Sequence, residues 1–393
     1  MDLKYSSEQD LLRDSAFGYL SSVYDYHARC RIVAGKEAID RSIWAKFAEL
    51  GWLALPIPEE DEGIGGDAVD LSVVMEALGS RLVVEPFLPT VVLGAGLIDL
   101  LATGEQRAIL AEVAQGTAML ALAHQERGVP FGSPRVETRA ERSGEGWSIR
   151  GAKILAIGAG LADHVLVPAR ISGAIDDAEG VGVFVVSRGT PGLELTEYPI
   201  ADGRRAADLS IDIAGLSDSA LLGGCENALP ALEQVIDKAI AASCAYVVGG
   251  LDMLIRLTRD YTAGRSQFGK PLGRFQVVQH RLAEMQVKRI EARAAMQLAA
   301  IRCDGPRIER IRAISAAKVK VSEAARYIAH QAVQLHGGMG LTEELSVGTY
   351  LKHVLTFERL LGDTDDHLRR YAQLLADGRI DVRRGLVNEG AEA

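Results

Sequence analysis

The chain has 393 residues, 48 % of them hydrophobic and 24 % charged, and 43 basic against 53 acidic side chains give a net charge of −10. That composition excludes a disordered or fibrous chain and leaves room for two or three domains with large cores. The acidic balance, with no basic block interleaved with aromatics, argues against a nucleic-acid partner, and the apolar stretch between Lys238 and Asp252 is shorter than the ~18 residues a membrane crossing needs.

The opening Met1-Asp2-Leu3-Lys4 shows no charged-then-apolar leader, which predicts a cytoplasmic protein. Apolar residues recur at three- and four-residue spacing from Gln9 to Leu20, Ala38 to Leu50 and Asp67 to Leu82, so residues 1–118 read as an α-helical domain. Leu55-Pro56-Ile57-Pro58 and Gly63-Ile64-Gly65-Gly66 mark its joints. After Gly116 the period shortens. Strand-like runs at 117–123, 147–150, 153–157, 164–167, 181–186, 193–197 and 208–213 predict a middle β domain over residues 119–226. No helical stretch intervenes to make crossovers, so the sheet is expected to be antiparallel.

From residue 227 to 393 the helical period returns. Nine of the 12 prolines lie before residue 230, and their scarcity afterwards permits long helices. Helices are predicted at about 228–263, 275–302, 308–335, 346–360 and 365–376 as an antiparallel bundle, with Gly337-Gly338 as a helix stop. The fold class is thus α+β: helical, then β, then a four-helix bundle.

Cys30, Cys225, Cys244 and Cys303 stand far apart and read as buried reduced thiols, and the eight histidines lack metal-ligand spacing. His280 and His330, inside helical stretches, read as structural. Gly264 to Lys270 has the Gly-x4-Gly-Lys skeleton of a phosphate loop, but Pro271 replaces the hydroxyl residue and a helix rather than a strand precedes it. Gly158-Ala159-Gly160 lacks the third glycine of a dinucleotide fingerprint.

The run from Tyr261 to Met285, with Arg265-Ser266-Gln267-Phe268-Gly269 at its centre, resembles the signature of the acyl-CoA dehydrogenase family, and so does Ala332-Val333-Gln334-Leu335-His336-Gly337-Gly338-Met339-Gly340. Trp52 to Glu60 is similar to the family's N-terminal helix-to-turn segment. Within the family the chain is most similar to the small subunit of pimeloyl-CoA dehydrogenase and related bacterial subunits, on Leu335-His336-Gly337-Gly338 and on Gly362-Asp363-x-x-x-His367.

The resemblance implies FAD at a subunit interface, an acyl-CoA substrate, an electron-transfer flavoprotein as electron acceptor, and a homo- or hetero-oligomer built as a dimer of dimers. It assigns cofactor contacts to Arg265, Gln267, Phe268, Leu272, Phe275, Gln334, Gly337, Gly338 and Thr364. The chemistry agrees, because a guanidinium fork suits a diphosphate and glycines admit phosphate oxygens close to backbone N–H groups. It also matches Asp237 to a CoA contact, although Asp237 reads equally as a solvated helix charge. Leu155 and Ile157 stand where the family has flavin-touching Trp and Thr.

Desaturating an acyl thioester needs a base for the α-proton and a flavin to take the β-hydride. The family's glutamate position falls here on Gly362, and the alternative position on Ala239, so the usual base is absent from both. Two readings stay open. Asp363 serves as the base, its pKa raised by burial, or else merely N-caps the helix that follows; alternatively the chain is a catalytically reduced partner in an α2β2 assembly whose other chain carries the base. The small Gly362 hints at a roomy acyl pocket.

Overall fold

The computed structural model describes residues 4–144, 146–381 and 386–387. The chain divides into two compact units, which cut across the three sequence segments. One comprises Met1–Arg31, Ala68–Val83 and Ile240–Ala393; the other comprises Ile32–Asp67 and Val84–Ala239.

In the first unit, α1 (Ser7–Val23) and α4 (Ala68–Ser80) join the C-terminal helices. These are α7 (Leu229–Gly264), which enters the unit at Ile240, α8 (Gln276–Arg302), α9 (Arg307–His336), α10 (Val347–Arg359) and α11 (Thr364–Ala376). All five lie within two residues of their sequence-predicted ends, because no interior proline interrupts an apolar period of three to four. α9 is the central element: α8, α10 and α11 all pack on it. α4 and α7 approach to backbone contact. A Cβ on Gly79 would lie 1.7 Å from the Tyr246 carbonyl oxygen, and one on Gly249 would lie 1.9 Å from that of Glu76, so the crossing requires glycine on both helices.

Arg293 of α8 closes this unit over α1 and α4. Its guanidinium lies 2.7 Å from buried Glu76 and 2.6 Å from Asp252, while the Tyr5 hydroxyl donates to Glu76 at 2.8 Å.

The second unit holds α2 (Tyr26–Ala34, from Ile32 onward), α3 (Arg41–Glu49), α5 (Gly96–Leu101), α6 (Ala108–Ala114) and a seven-stranded curled sheet. Its strands are β1 (Leu120–Leu122), β2 (Arg139–Ser143), β3 (Gly146–Ile157), β4 (His164–Arg170), β5 (Val181–Ser187), β6 (Leu193–Pro199) and β7 (Arg205–Ser217). Along β7, Leu209, Ile211 and Ile213 point inward while Ser210 and Asp212 face water, the period of two that fixes register. The inward residues pack with Trp147 and Phe184, whose rings meet edge-on at 5.3 Å.

Two sequence expectations change here. The sheet is not wholly antiparallel: Leu120, Ala121 and Leu122 pair with His164, Val165 and Leu166 in parallel, and Arg139 pairs in parallel with Arg170. The return from β1 to β4 runs through the β2–β3 hairpin, so no helix is needed to make the crossover. The runs 147–150 and 153–157 are one strand, β3, whose pairing with β7 slips between Lys153 and Ala156. That bulge puts Leu155 in the left-handed region at φ 54°.

α7 is long and apolar enough to cross a membrane by length and composition, yet 67 % of its most apolar window is buried inside the protein. Of the cysteines, Cys244 and Cys303 are buried as expected, whereas Cys225 is half-buried and Cys30 exposed; no disulfide joins any of the four.

Candidate functional site

α7 ends in a short hairpin that carries the first signature. The Arg265 amide donates to the Tyr261 carbonyl at 2.8 Å, and β8 (Ser266–Gln267) pairs with β9 (Lys270–Pro271), so the would-be phosphate loop is a β-turn. Phe268 occupies the tip at φ 55° and is 86 % exposed, and Gln267 is exposed beside it. Arg265 is exposed too and makes no ion pair among the described residues. Phe275 supports the hairpin from below, meeting the Phe268 ring edge-on at 6.3 Å and the Lys270 ammonium at 4.3 Å; Leu272 and Phe275 are half-buried.

The second signature ends α9. Gly337 breaks the helix at φ 59°, ψ −140°, so the helix-stop reading holds, and nothing lies within 4 Å of where a Cβ would stand on Gly337 or Gly338. Gln334 is exposed one turn earlier. The two signatures meet at their bases: the Tyr261 ring stacks on His336 at 4.3 Å, and its hydroxyl donates to the His336 carbonyl at 3.3 Å. A partnerless guanidinium, an exposed aromatic and two open glycines at one end of the bundle fit a diphosphate-bearing cofactor approached from outside the chain.

Asp363 takes up the N-cap role. It N-caps α11 in a reciprocal capping box: its carboxylate accepts from the Asp365 and Asp366 amides at 3.0 Å each, while the Asp366 carboxylate accepts from the Asp363 amide at 3.0 Å. Bonds from the Asp366 and Asp365 backbone outweigh burial and, with Arg359 and Arg369 nearby, hold this carboxyl below the usual aspartate range. The expected burial-driven rise is therefore corrected to a depression, because side-chain bonds to helix amides favour the ionised form. Gly362, buried at φ 84°, offers no side chain, and neither does buried Ala239 beyond its methyl group. Thr364 is the first residue of α11 and is half-buried.

The turn before Asp363 is held by Lys318, which sequence reading passed over, and by His367, noted there only as part of a motif. Buried Lys318 of α9 donates to the Phe357 carbonyl at 2.5 Å and the Leu360 carbonyl at 2.8 Å, and lies 3.8 Å from the Phe357 ring centre. Burial pulls its pKa down to about 8. Nε2 of His367 donates to the Leu361 carbonyl at 2.9 Å.

Burial lowers His367 to about 4, so it is neutral at pH 7. Between pH 6.5 and 4 the unfolded chain takes up a proton that the folded chain does not, and stability falls as pH drops. His367→Gln, which keeps a donor, is expected to flatten this slope by up to ~1.4 kcal/mol per pH unit, measured as denaturation midpoints at pH 7 and pH 5.

In the other unit, Asp237 is fully buried, which overturns the solvated-charge reading. At zero exposure its carboxylate is also closed to a CoA molecule in this conformation. Leu155 and Ile157 are half-buried on β3, with the Leu155 amide donating to Asp208 at 3.0 Å and the Tyr198 hydroxyl to the same carboxylate at 2.6 Å. Beside them lies a buried charge cluster. Lys153 Nζ sits 2.6 Å from Glu126, which also accepts from Thr138 and from the Glu137 amide. Burial opposes the charge on Glu126, but Lys153 and Thr138 outweigh it and hold the carboxyl below its ordinary range. His124, lowered to about 4 by burial and by Lys153, keeps a buried Nδ1 with no partner among the described residues.

His280 and His330 lie on exposed helix faces. No cluster of three or more potential metal ligands occurs among the described residues.

Three domain models of one family match in chain order: acyl-CoA dehydrogenase N-terminal domain over residues 6–117, middle domain over 119–212 and C-terminal domain over 231–375. The mitochondrial long-chain specific acyl-CoA dehydrogenase of Rattus norvegicus is 29 % identical over 350 residues, 87 % of this chain and 80 % of its own. Among solved structures, the ChsE4–ChsE5 complex from Mycobacterium tuberculosis superposes with a TM-score of 0.86 at 25 % identity, over 96 % of this chain and 99 % of that one. A variant of the Tcur3481–Tcur3483 steroid ACAD gives a TM-score of 0.84 at 28 % identity, over 94 % and 98 %. With both signatures at one end of the bundle and all three domains matched in order, the chain belongs to the acyl-CoA dehydrogenase family.

Proposed function

We propose that this chain is the subunit without the base in a heteromeric, FAD-dependent acyl-CoA dehydrogenase, akin to the small-subunit type of pimeloyl-CoA dehydrogenase. The observation that carries the reading is the Asp363 capping box: the one carboxylate beside the family's base position is spent on two helix amides at 3.0 Å each. The complete assembly desaturates an acyl-CoA thioester at its α,β carbons. Bound FAD supplies the acceptor for the β-hydride, and an electron-transfer flavoprotein takes the electrons onward.

This chain's part is to bind and orient. Arg265 offers its planar fork to the diphosphate of a cofactor seated against the neighbouring subunit, Phe268 and Gln267 lie along that cofactor, and Gln334, Gly337 and Gly338 line its path. Thr364, Leu272 and Phe275 complete or support the contact. The α-proton goes to a carboxylate of the other chain. Two similar solved structures, ChsE4–ChsE5 and Tcur3481–Tcur3483, carry paired names, which favours a two-chain assembly here.

Co-expression with a second acyl-CoA dehydrogenase-like chain from the same source tests the reading. A yellow complex with both chains in equal amounts is expected, and a yellow homo-oligomer of this chain alone that turns over acyl-CoA contradicts it. In the complex, Asp363→Asn is expected to keep activity within about threefold, since asparagine also caps helices, whereas loss of a base costs about 100-fold or more.

A further inference from the structure

α4 ends in an arginine that the helix does not need. Each of its last four carbonyls is satisfied by another group: Ala77 accepts from the Ser80 hydroxyl at 2.7 Å and Ser80 from the Tyr350 hydroxyl at 2.6 Å. Leu78 and Gly79 accept from the Val83 and Leu82 amides, at 3.1 Å each. Arg81 is half-buried, and its guanidinium makes no hydrogen bond or ion pair among the described residues.

Two more guanidiniums stand around the same buried phenol, all within the first unit. Arg29 of α2, itself buried, donates from Nε to the Leu82 carbonyl at 2.9 Å, so Tyr350 and Arg29 hold the carbonyls on either side of Arg81. Leu82 takes φ 54° to make that turn, a conformation costly for a bulky residue. On α7, a Cβ on Gly250 would lie 3.5 Å from the Tyr350 ring, and exposed Arg256 follows on the same helix, bonded among the described residues only to the Met253 sulfur at 3.1 Å. Arg81, Arg29 and Arg256 all act on the Tyr350 hydroxyl, and burial together with Arg256 pulls the Arg81 pKa below its ordinary range. Asp25, the one acid among the described residues that acts on Arg81, is exposed and already accepts from the Ala28 amide at 2.7 Å.

Like charges gathered at a half-buried place, with spare donors and a strained turn beside them, form an arrangement that an anion completes. We propose that Arg81 and Arg256, beside buried Arg29 and Tyr350, bind a phosphate group. A carboxylate has two oxygens and is satisfied by one guanidinium fork, whereas the further oxygens of a phosphate accept from a second. Because Arg256 is exposed, the group can arrive free or as a phosphomonoester. The site shares no residue with the hairpin and glycines assigned to the cofactor, so it stands or falls apart from the heteromer reading.

Calorimetric titration of the flavin-loaded assembly with inorganic phosphate, glycerol 3-phosphate and succinate, at constant ionic strength, tests the site. Both phosphate probes are expected to bind, the tighter one naming the source, with succinate at least about tenfold weaker. Arg81→Gln and Arg256→Gln are each expected to weaken phosphate binding about 10- to 100-fold, with circular dichroism unchanged. In phosphate-free buffer Arg81→Gln should melt no lower than the parent, because the α4 carbonyls keep their partners, while the rise in midpoint that phosphate gives the parent should vanish. Succinate binding as tightly as phosphate, phosphate binding unchanged in both variants, or a midpoint that Arg81→Gln lowers equally with and without phosphate would overturn the proposal.

Discussion

Replacing Arg265 by alanine is expected to weaken flavin retention by the assembled protein about 10- to 100-fold, the worth of a charge-assisted, forked hydrogen bond to a diphosphate. The same change should leave unfolding of the chain untouched, because the exposed guanidinium makes no ion pair among the described residues. Arg265→Lys keeps the charge but loses the planar fork, and an intermediate loss is expected. Flavin fluorescence recovered on dilution measures the effect. Alanine at residue 265 with undiminished flavin affinity would remove the hairpin from the cofactor site.

Glu126→Ala is expected to produce the largest loss of stability, about 3–5 kcal/mol, because it strands the Lys153 ammonium in the core of the curled sheet. Both side chains are essentially inaccessible, at 4 and 0 % exposure, and Glu126 gathers the ammonium, the Thr138 hydroxyl and amide and the Glu137 amide on two oxygens. A buried pair is costly to break and cheap to replace, so Glu126→Leu combined with Lys153→Met should recover most of the loss. Denaturant midpoints of the two variants make the comparison, and a double variant no more stable than Glu126→Ala would show that the cluster does more than satisfy itself.

Legibility of this chain in its sequence followed the strength of periodic signals. The long helices were readable because α7 to α11 repeat apolar residues over several turns with little proline. α2, α5 and α6 are short, and nothing in their spacing marks them. β2 escaped because four of its five residues are exposed and polar, and because its partners β3 and β4 come later in the chain. The parallel β1–β4 pair is a property of the whole sheet, invisible in any local run.

The site divides the same way. Arg265, Phe268 and Gly337 are local signatures, and the structure puts their bases together through Tyr261 and His336. Asp363 shows what local reading leaves open: base and N-cap both fit an aspartate before a helix, and the bonds to the Asp365 and Asp366 amides are what the structure adds on the side of the cap. Lys318 and the Glu126–Lys153 pair were missed because each takes its meaning from a partner 27 or more residues away, while His367 was noted only within a motif and gains its role from the Leu361 carbonyl in the turn before α11. Asp237 was misplaced outside because a lone acid in an apolar helix gives no sign of being buried.

The placement of the base on the other chain is tested most directly by one anaerobic titration with acyl-CoA, following flavin absorbance near ~450 nm. It compares this chain alone, this chain alone carrying Asp363→Asn, the two-chain complex and the complex carrying Asp363→Asn. Bleaching is expected in both complexes and not in the isolated chain. Bleaching of the chain alone that disappears with Asp363→Asn would contradict it and return the base to residue 363.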